Sequence, residues 1–243
     1  MFNRFPRLSL GLSLGFLTTA LLGASGCGSD SADLDLNTIL EASEDDKADQ
    51  PQGTSALTWT RVSSSMLNCI KAPCPSTILN DVNAGVTQFV YQLDWRALKL
   101  SKADQQKAEG QASKMLLYGR YTPVKVQGEP LRIFQITRAN LRVTDRASDN
   151  PEVERYYQTQ GTDGQCPQQP CATQWRATLL GKSGQPEAWK GINLKRLELP
   201  ASAEQALVNE LKAGQAYLSV SSVTDDTAQV TQAFRPLKAE PLR

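Results

Sequence analysis

Two short stretches of this chain carry the same unusual spacing, and that duplication limits the fold more than any other feature. Cys69-Ile70-Lys71-Ala72-Pro73-Cys74 and Cys166-Pro167-Gln168-Gln169-Pro170-Cys171 are both C-x4-C, each with Pro directly before the second Cys. Self-similarity at a fixed period signals repeated structural units. Downstream of each pair the agreement continues. Leu93-Asp94-Trp95-Arg96-Ala97-Leu98-Lys99-Leu100 aligns with Ile192-Asn193-Leu194-Lys195-Arg196-Leu197-Glu198-Leu199. A helix start follows each, at Ser101 with Asp104 in the capping-box position and at Ser202, the second helix being stopped by Gly214.

Runs rich in β-branched and aromatic residues flank these segments. In the first copy they are 57–63, 78–82, 88–93, 115–121 and 131–136. In the second they are 154–159, 174–180, 188–194, 217–220 and 228–234. The expectation is a mainly β (α+β) protein of two tandem β-rich subdomains, each with about five strands and one short helix. The first unit covers 57–145 and the second 152–238, joined by a polar junction ending in Asn150-Pro151. Leu98, Leu100, Leu116, Ile133 and Ile136 are expected in one core. Leu197, Leu199, Leu207, Leu211, Leu218 and Val230 are expected in the other. Trp95, Trp175 and Trp189 read mainly as core residues.

The N-terminus reads as a signal peptide over residues 1–26. Arg4 and Arg7 precede an apolar run from Leu8 to Leu22, interrupted by Ser9, Ser13, Thr18 and Thr19. A membrane-spanning helix needs about 20 predominantly apolar residues, so this run is too short and too broken. Ala24-Ser25-Gly26-Cys27 resembles a bacterial lipobox, with Ala24 where Leu is usual. The resemblance implies acylation of Cys27, and several acyl chains anchor a protein stably. Residues 27–56 form an acidic tether with eight Asp/Glu against Lys47 alone, too polar to order itself. The expected location is the cell envelope, at the outer membrane.

Charge and residue usage exclude several functions. Residues 57–243 hold 23 Lys/Arg and 17 Asp/Glu, a net of +6 without clustering, so nucleic acid is not an expected partner. The chain has no His, which removes Ser-His-Asp and Cys-His catalysis and His-based metal sites. No phosphate-cradling Gly-rich loop is present. No cofactor or metal is expected, and no catalytic residue is assigned. Asp225-Asp226 reads as a turn and Glu152-x-Glu154 as an exposed strand face.

Export favours disulfides over thiolates. Local bridges Cys69–Cys74 and Cys166–Cys171 are the preferred pairing, each closing a six-residue loop. Bridges between the copies, or a four-Cys zinc site, are the alternatives.

The first unit resembles an uncharacterised bacterial family of secreted proteins and lipoproteins with a C-x4-C loop. The resemblance rests on Trp59-Thr60-Arg61-Val62, Cys69, Cys74, Asn83, Leu93-Asp94, Leu98-Lys99-Leu100-Ser101 and Leu117-Tyr118-Gly119-Arg120. It spans 57–143 and is repeated loosely in 152–238. Pro75-Ser76 stands where the family has Gly-Gly. The resemblance implies an exported location and no activity. A looser likeness is to envelope lipoproteins built from small β-barrels.

The expected function is therefore a non-enzymatic binding or structural module, anchored to the membrane by lipid, whose partner is an envelope protein or glycan. The alternatives are a protease inhibitor presenting Lys71 in the Cys69–Cys74 loop, and a carboxylate-dependent hydrolase.

Overall fold

The computed structural model describes residues 55–63, 72–145, 153–163 and 173–237. The tether up to residue 54, the signal segment, Cys27, Cys69, Lys71, Cys166, Cys171, Glu152 and most of the junction lie outside the described residues. The described residues all belong to one unit spanning Asp35–Arg243.

Alternating apolar and polar residues make twelve strands in the expected places. The first copy holds β1 (Thr58–Ser63), β2 (Thr77–Asp81), β3 (Val86–Val90), β4 (Gln92–Asp94), β5 (Met115–Val126) and β6 (Glu129–Arg142). The second holds β7 (Arg155–Asp163), β8 (Thr173–Leu179), β9 (Glu187–Trp189), β10 (Gly191–Asn193), β11 (Tyr217–Thr224) and β12 (Thr227–Pro236). One helix interrupts each copy, α1 (Lys102–Gly110) and α2 (Ala201–Lys212).

The runs read as single strands at 88–93 and 188–194 are each broken. Tyr91 and Lys190 end the antiparallel pairing of β3 and β9, and the next three residues pair in parallel with another strand, β4 with β6 and β10 with β12. This bend closes each copy into a barrel with the neighbour order β1-β2-β3/β4-β6-β5-β1. Strand order, the parallel closure and the helix before the fourth strand are those of the OB-fold, a five-stranded Greek-key barrel. The Cys loop joins its first two strands.

Local chemistry is matched between copies. Asp94 Oδ1 accepts from Arg96 N at 3.0 Å, and Asn193 Oδ1 accepts from Lys195 N at 3.1 Å. Each bond starts a 3-10 turn that ends on a left-handed residue, Lys99 (φ 53°) or Glu198 (φ 52°). Both long hairpins turn on two left-handed residues, Gln127-Gly128 and Asp225-Asp226, as a two-residue turn compatible with strand twist requires. Ser101 caps α1 as its sequence implies, accepting from Asp104 N at 3.1 Å. Ser202 does not cap α2. The cap lies two residues earlier, at Pro200, which has an extended backbone and makes no side-chain cap bond.

A β-bulge sets the register of the two copies. Thr137 in β6 bulges opposite Tyr118/Gly119 and donates its hydroxyl to Tyr118 O at 3.0 Å. Thr231 in β12 bulges opposite Ser219/Val220 and donates to Ser219 O at 3.1 Å. Thr137 and Thr231 are therefore counterparts. From them the ladders make Trp59 the counterpart of Tyr156, Val82 of Leu180 and Leu116 of Tyr217. Independent bonds agree: Val82 N donates to Trp59 O, and Leu180 N to Tyr156 O, both at 2.9 Å.

The core has three parts. Trp95, Leu117, Phe134 and Ile136 fill the first barrel, with Leu98 and Leu100 at its margin. Trp175, Trp189, Leu197, Leu207, Leu211, Leu218 and Val230 fill the second, with Leu199 at its margin. The third was not anticipated. Trp59, Val82, Leu116, Tyr156, Leu180, Tyr217 and Phe234 form a cluster between the barrels. Leu116, expected in the first barrel, belongs to this seam. Along a strand alternate residues face opposite sides, so Leu117 points into its barrel while Leu116 points at the other copy. The barrels are also hydrogen-bonded, since β6 and β12 pair antiparallel at Asn140–Arg142 and Phe234–Pro236.

Candidate functional site

The seam gathers a polar network that neither copy could make alone. Arg61 lies on β1 beyond Trp59, with its side chain on the same face. Its Nη1 donates to the Tyr156 hydroxyl across the seam at 2.6 Å, and its guanidinium stands 5.8 Å from the Tyr156 ring centre. The Tyr156 hydroxyl in turn donates to Glu154 Oε2 at 3.3 Å. Asn83, on the β2–β3 turn, closes the other side. Its Nδ2 donates to Tyr156 O and Leu180 O, and its Oδ1 accepts from Tyr156 N, all at 2.9 Å. Asn83 can do this because it holds the left-handed conformation, φ 60°, which Asn tolerates better than most residues.

Burial and charge shape the titration of this network. Burial raises the Tyr156 hydroxyl above its ordinary value, Arg61 opposes that shift and Glu154 adds to it. Burial lowers the Arg142 guanidinium, and the neighbouring Arg61 charge adds to that effect. Arg61 Nε is buried without a hydrogen-bond partner among the described residues. Arg61 thus meets one buried tyrosine whose hydroxyl reaches one buried carboxylate, while Arg142 donates to Thr144 O and Asp145 O. This set holds charge and orients groups. Glu154, read from sequence as part of an exposed face, is buried because β7 starts at the seam and turns that side inward.

Above the network opens a cleft of about 1120 Å³ that takes residues from both copies. Arg61, Asp81 and Val86 come from the first barrel; Val153, Arg155 and Lys182 come from the second. Val86 and Val153 are exposed, so part of the wall is apolar. Asp81 is engaged elsewhere, accepting from the Tyr121 hydroxyl at 2.6 Å. Arg155 hydrogen-bonds the Tyr157 side chain on the same strand, and neither Arg155 nor Lys182 has an ion-pair partner among the described residues.

The residues singled out in the sequence fall elsewhere. Cys74 precedes β2 and is the only cysteine among the described residues. Asp225-Asp226 forms the β11–β12 turn as expected, where Asp226 pairs with Lys190 at 2.7 Å. Trp95, Trp175 and Trp189 are buried, as expected of core residues. No group of three His, Cys, Asp or Glu suited to a metal occurs among the described residues. Arg61, Asn83, Tyr156 and Lys182 were not picked out as site residues from the sequence. One signal was available: once the copies are aligned, charged residues with uncharged counterparts stand out.

No protein-family model, no curated protein and no solved structure matches the chain.

Proposed function

We propose that this chain is a lipid-anchored, non-enzymatic binding module of the cell envelope, with its ligand taken at the seam between the barrels. The observation that carries this reading is the cleft lined by both copies, whose cations Arg155 and Lys182 lack ion-pair partners among the described residues. Polar groups converging in a large cleft are the usual starting point for a binding-site assignment. The barrel type supports the reading by analogy, since OB barrels serve widely as binding scaffolds. The run ending at Cys27 supports export and acylation, and the acidic tether would hold the barrels away from the bilayer.

Metabolic labelling with a radioactive fatty acid tests the anchor: label should enter the wild-type protein and be absent from Cys27→Ser. Binding is tested by capture from detergent-solubilised envelopes. A captured component that is lost on Arg155→Gln/Lys182→Gln supports the seam as the site, and capture unchanged by that pair refutes it. The proposed bridges Cys69–Cys74 and Cys166–Cys171 are checked by non-reduced peptide mapping. A peptide joining the first pair to the second would overturn that pairing.

A further inference from the structure

The duplication supplies an internal control for the seam. Each charged residue that lines the cleft has a counterpart at the equivalent place in the other copy, in the same kind of barrel. The ladders make Gln158 the counterpart of Arg61, Thr58 of Arg155 and Leu179 of Asp81. Continuing one residue before the paired stretch, Leu57 corresponds to Glu154. Beyond β2 and β8, the left-handed residues Asn83 (φ 60°) and Gly181 (φ 70°) correspond, and Ala84 then matches Lys182.

All five charged residues of the cleft thus face uncharged counterparts. The equivalent places close the same kind of barrel without a charge, so the barrel fold itself does not demand one there. Asp81 and Glu154 are satisfied by Tyr121 and Tyr156. The charge left facing the cleft is therefore positive, from Arg155 and Lys182 at the surface and Arg61 below them.

We propose that the seam cleft holds a stretch of an anionic oligosaccharide, its carboxylate or phosphate groups lying against Arg61, Arg155 and Lys182. This rests on the binding-module reading above and names the class of ligand. At about 1120 Å³ the cleft is larger than the ~300–1,000 Å³ usual for a single small molecule. It is an open cleft, so a chain can run through it. Val86 and Val153 give the apolar patches that C–H faces of sugar rings need, and the cations give the acidic groups their partners. Arginine suits planar carboxylate and phosphate groups in particular.

The test is calorimetric titration of the full-length lipoprotein in detergent. The probes are tetragalacturonate, which carries carboxylates, and mannopentaose phosphate, which carries a phosphate. Neutral maltotetraose and a tetraglutamate peptide are the controls. One or both acidic sugars should bind at least about tenfold more tightly than either control, and the stronger of the two identifies the group recognised. Arg155→Gln and Lys182→Gln should each weaken that binding about fivefold, with melting temperature unchanged because both side chains are exposed. Lys107→Gln, on the exposed face of α1, should have no effect. Tetraglutamate binding as tightly as the sugars would overturn the sugar class. So would equal binding of maltotetraose, equal weakening by Lys107→Gln, or failure of both acidic sugars to bind. If the sugars fail while envelope capture still depends on Arg155 and Lys182, the ligand class is wrong and the binding site stands. If capture is also indifferent to those residues, the binding-site reading falls with it.

Discussion

Leu141 and Arg235 face each other across β6 and β12, and each is the other's counterpart in the duplicated chain. Leu141 lies four residues beyond the bulge residue Thr137, and Arg235 four beyond Thr231. The flanking pairs obey the same relation: Arg142 pairs with Phe234 and Asn140 with Pro236. The two barrels are therefore joined about a pseudo-twofold axis passing through the Leu141–Arg235 pair, as two identical subunits would be in a symmetric dimer. Because both copies lie in one chain, the two sides of that interface need not be identical, and they are not. Asn140 bonds to Leu116 O where its counterpart Phe234 fills the seam core, and charges have collected on one side alone.

The shared core predicts that the barrels unfold together. Phe234 is fully buried in the seam and packs 6.2 Å, ring centre to ring centre, from Tyr156. Phe234→Ala should cost about 3–5 kcal/mol. Urea unfolding followed by circular dichroism and by tryptophan fluorescence should give one coincident transition in both proteins. Two separated transitions in the wild-type protein would show that the seam does not couple the barrels.

Asn83 should be worth more than its turn. Asn83→Gly keeps the left-handed backbone and removes three hydrogen bonds to β7 and β8, which should cost about 2–3 kcal/mol. Asn83→Ala adds backbone strain and should be less stable still. If Asn83→Gly matches the wild-type midpoint in chemical denaturation, the bridge contributes nothing.

Gly119 is required for close approach. A Cβ there would lie 2.0 Å from the Gln135 carbonyl oxygen, which belongs to backbone and cannot swing away. Gly119→Ala should destabilise the first barrel by about 1–3 kcal/mol. Gly128, whose added Cβ would meet nothing but whose φ is 84°, should be milder on replacement by Asn, which tolerates that conformation. Thermal melts of the two variants compare them directly.

Asp81 should give the protein a pH dependence opposite to the usual carboxylate. Burial raises its pKa above the ordinary 3.8, and the bond from Tyr121 only partly offsets this. The folded state therefore favours the protonated form. The favourable contribution is complete below the unfolded value near 3.8 and is lost as pH rises through the higher folded value. Asp81→Asn can still accept from Tyr121 and carries no charge to desolvate. It should be more stable than wild type at pH 7, with the gap closing as pH falls below about 4. A gap that widens in acid would reverse the assignment.

Much of the fold could be read from the sequence because its signals are local. Alternation marks strands, Ser101 and Asp104 mark a helix start, and the paired cysteine loops reveal the duplication. The breaks at Tyr91 and Lys190 were hidden, because a strand that changes partners keeps the same alternation. The barrel closure followed from those breaks and was hidden with them. Capping at Ser202 was misplaced, since the cap is Pro200, which makes no side-chain bond. Hydrophobic periodicity placed Leu116 in the first core, although alternation along β5 sends it to the face opposite Leu117, which fills that barrel.

Propensity, capping and turn chemistry act within a few residues, so the elements, their order and their repetition are written in the chain. Which face of each strand became interior and which became seam depended on how the copies pack. That packing also decided that Arg61 meets Tyr156 and Glu154, and that Arg155 and Lys182 share one cleft. Arg61 lies about a hundred positions from Tyr156, and β6–β12 pairing, the Asn83 bonds and the seam core bring the two copies together. A charge pattern spread over that distance has no periodicity of its own. It becomes a site when backbone hydrogen bonding and burial of Trp59, Leu116, Tyr156 and Phe234 bring the two copies into one register.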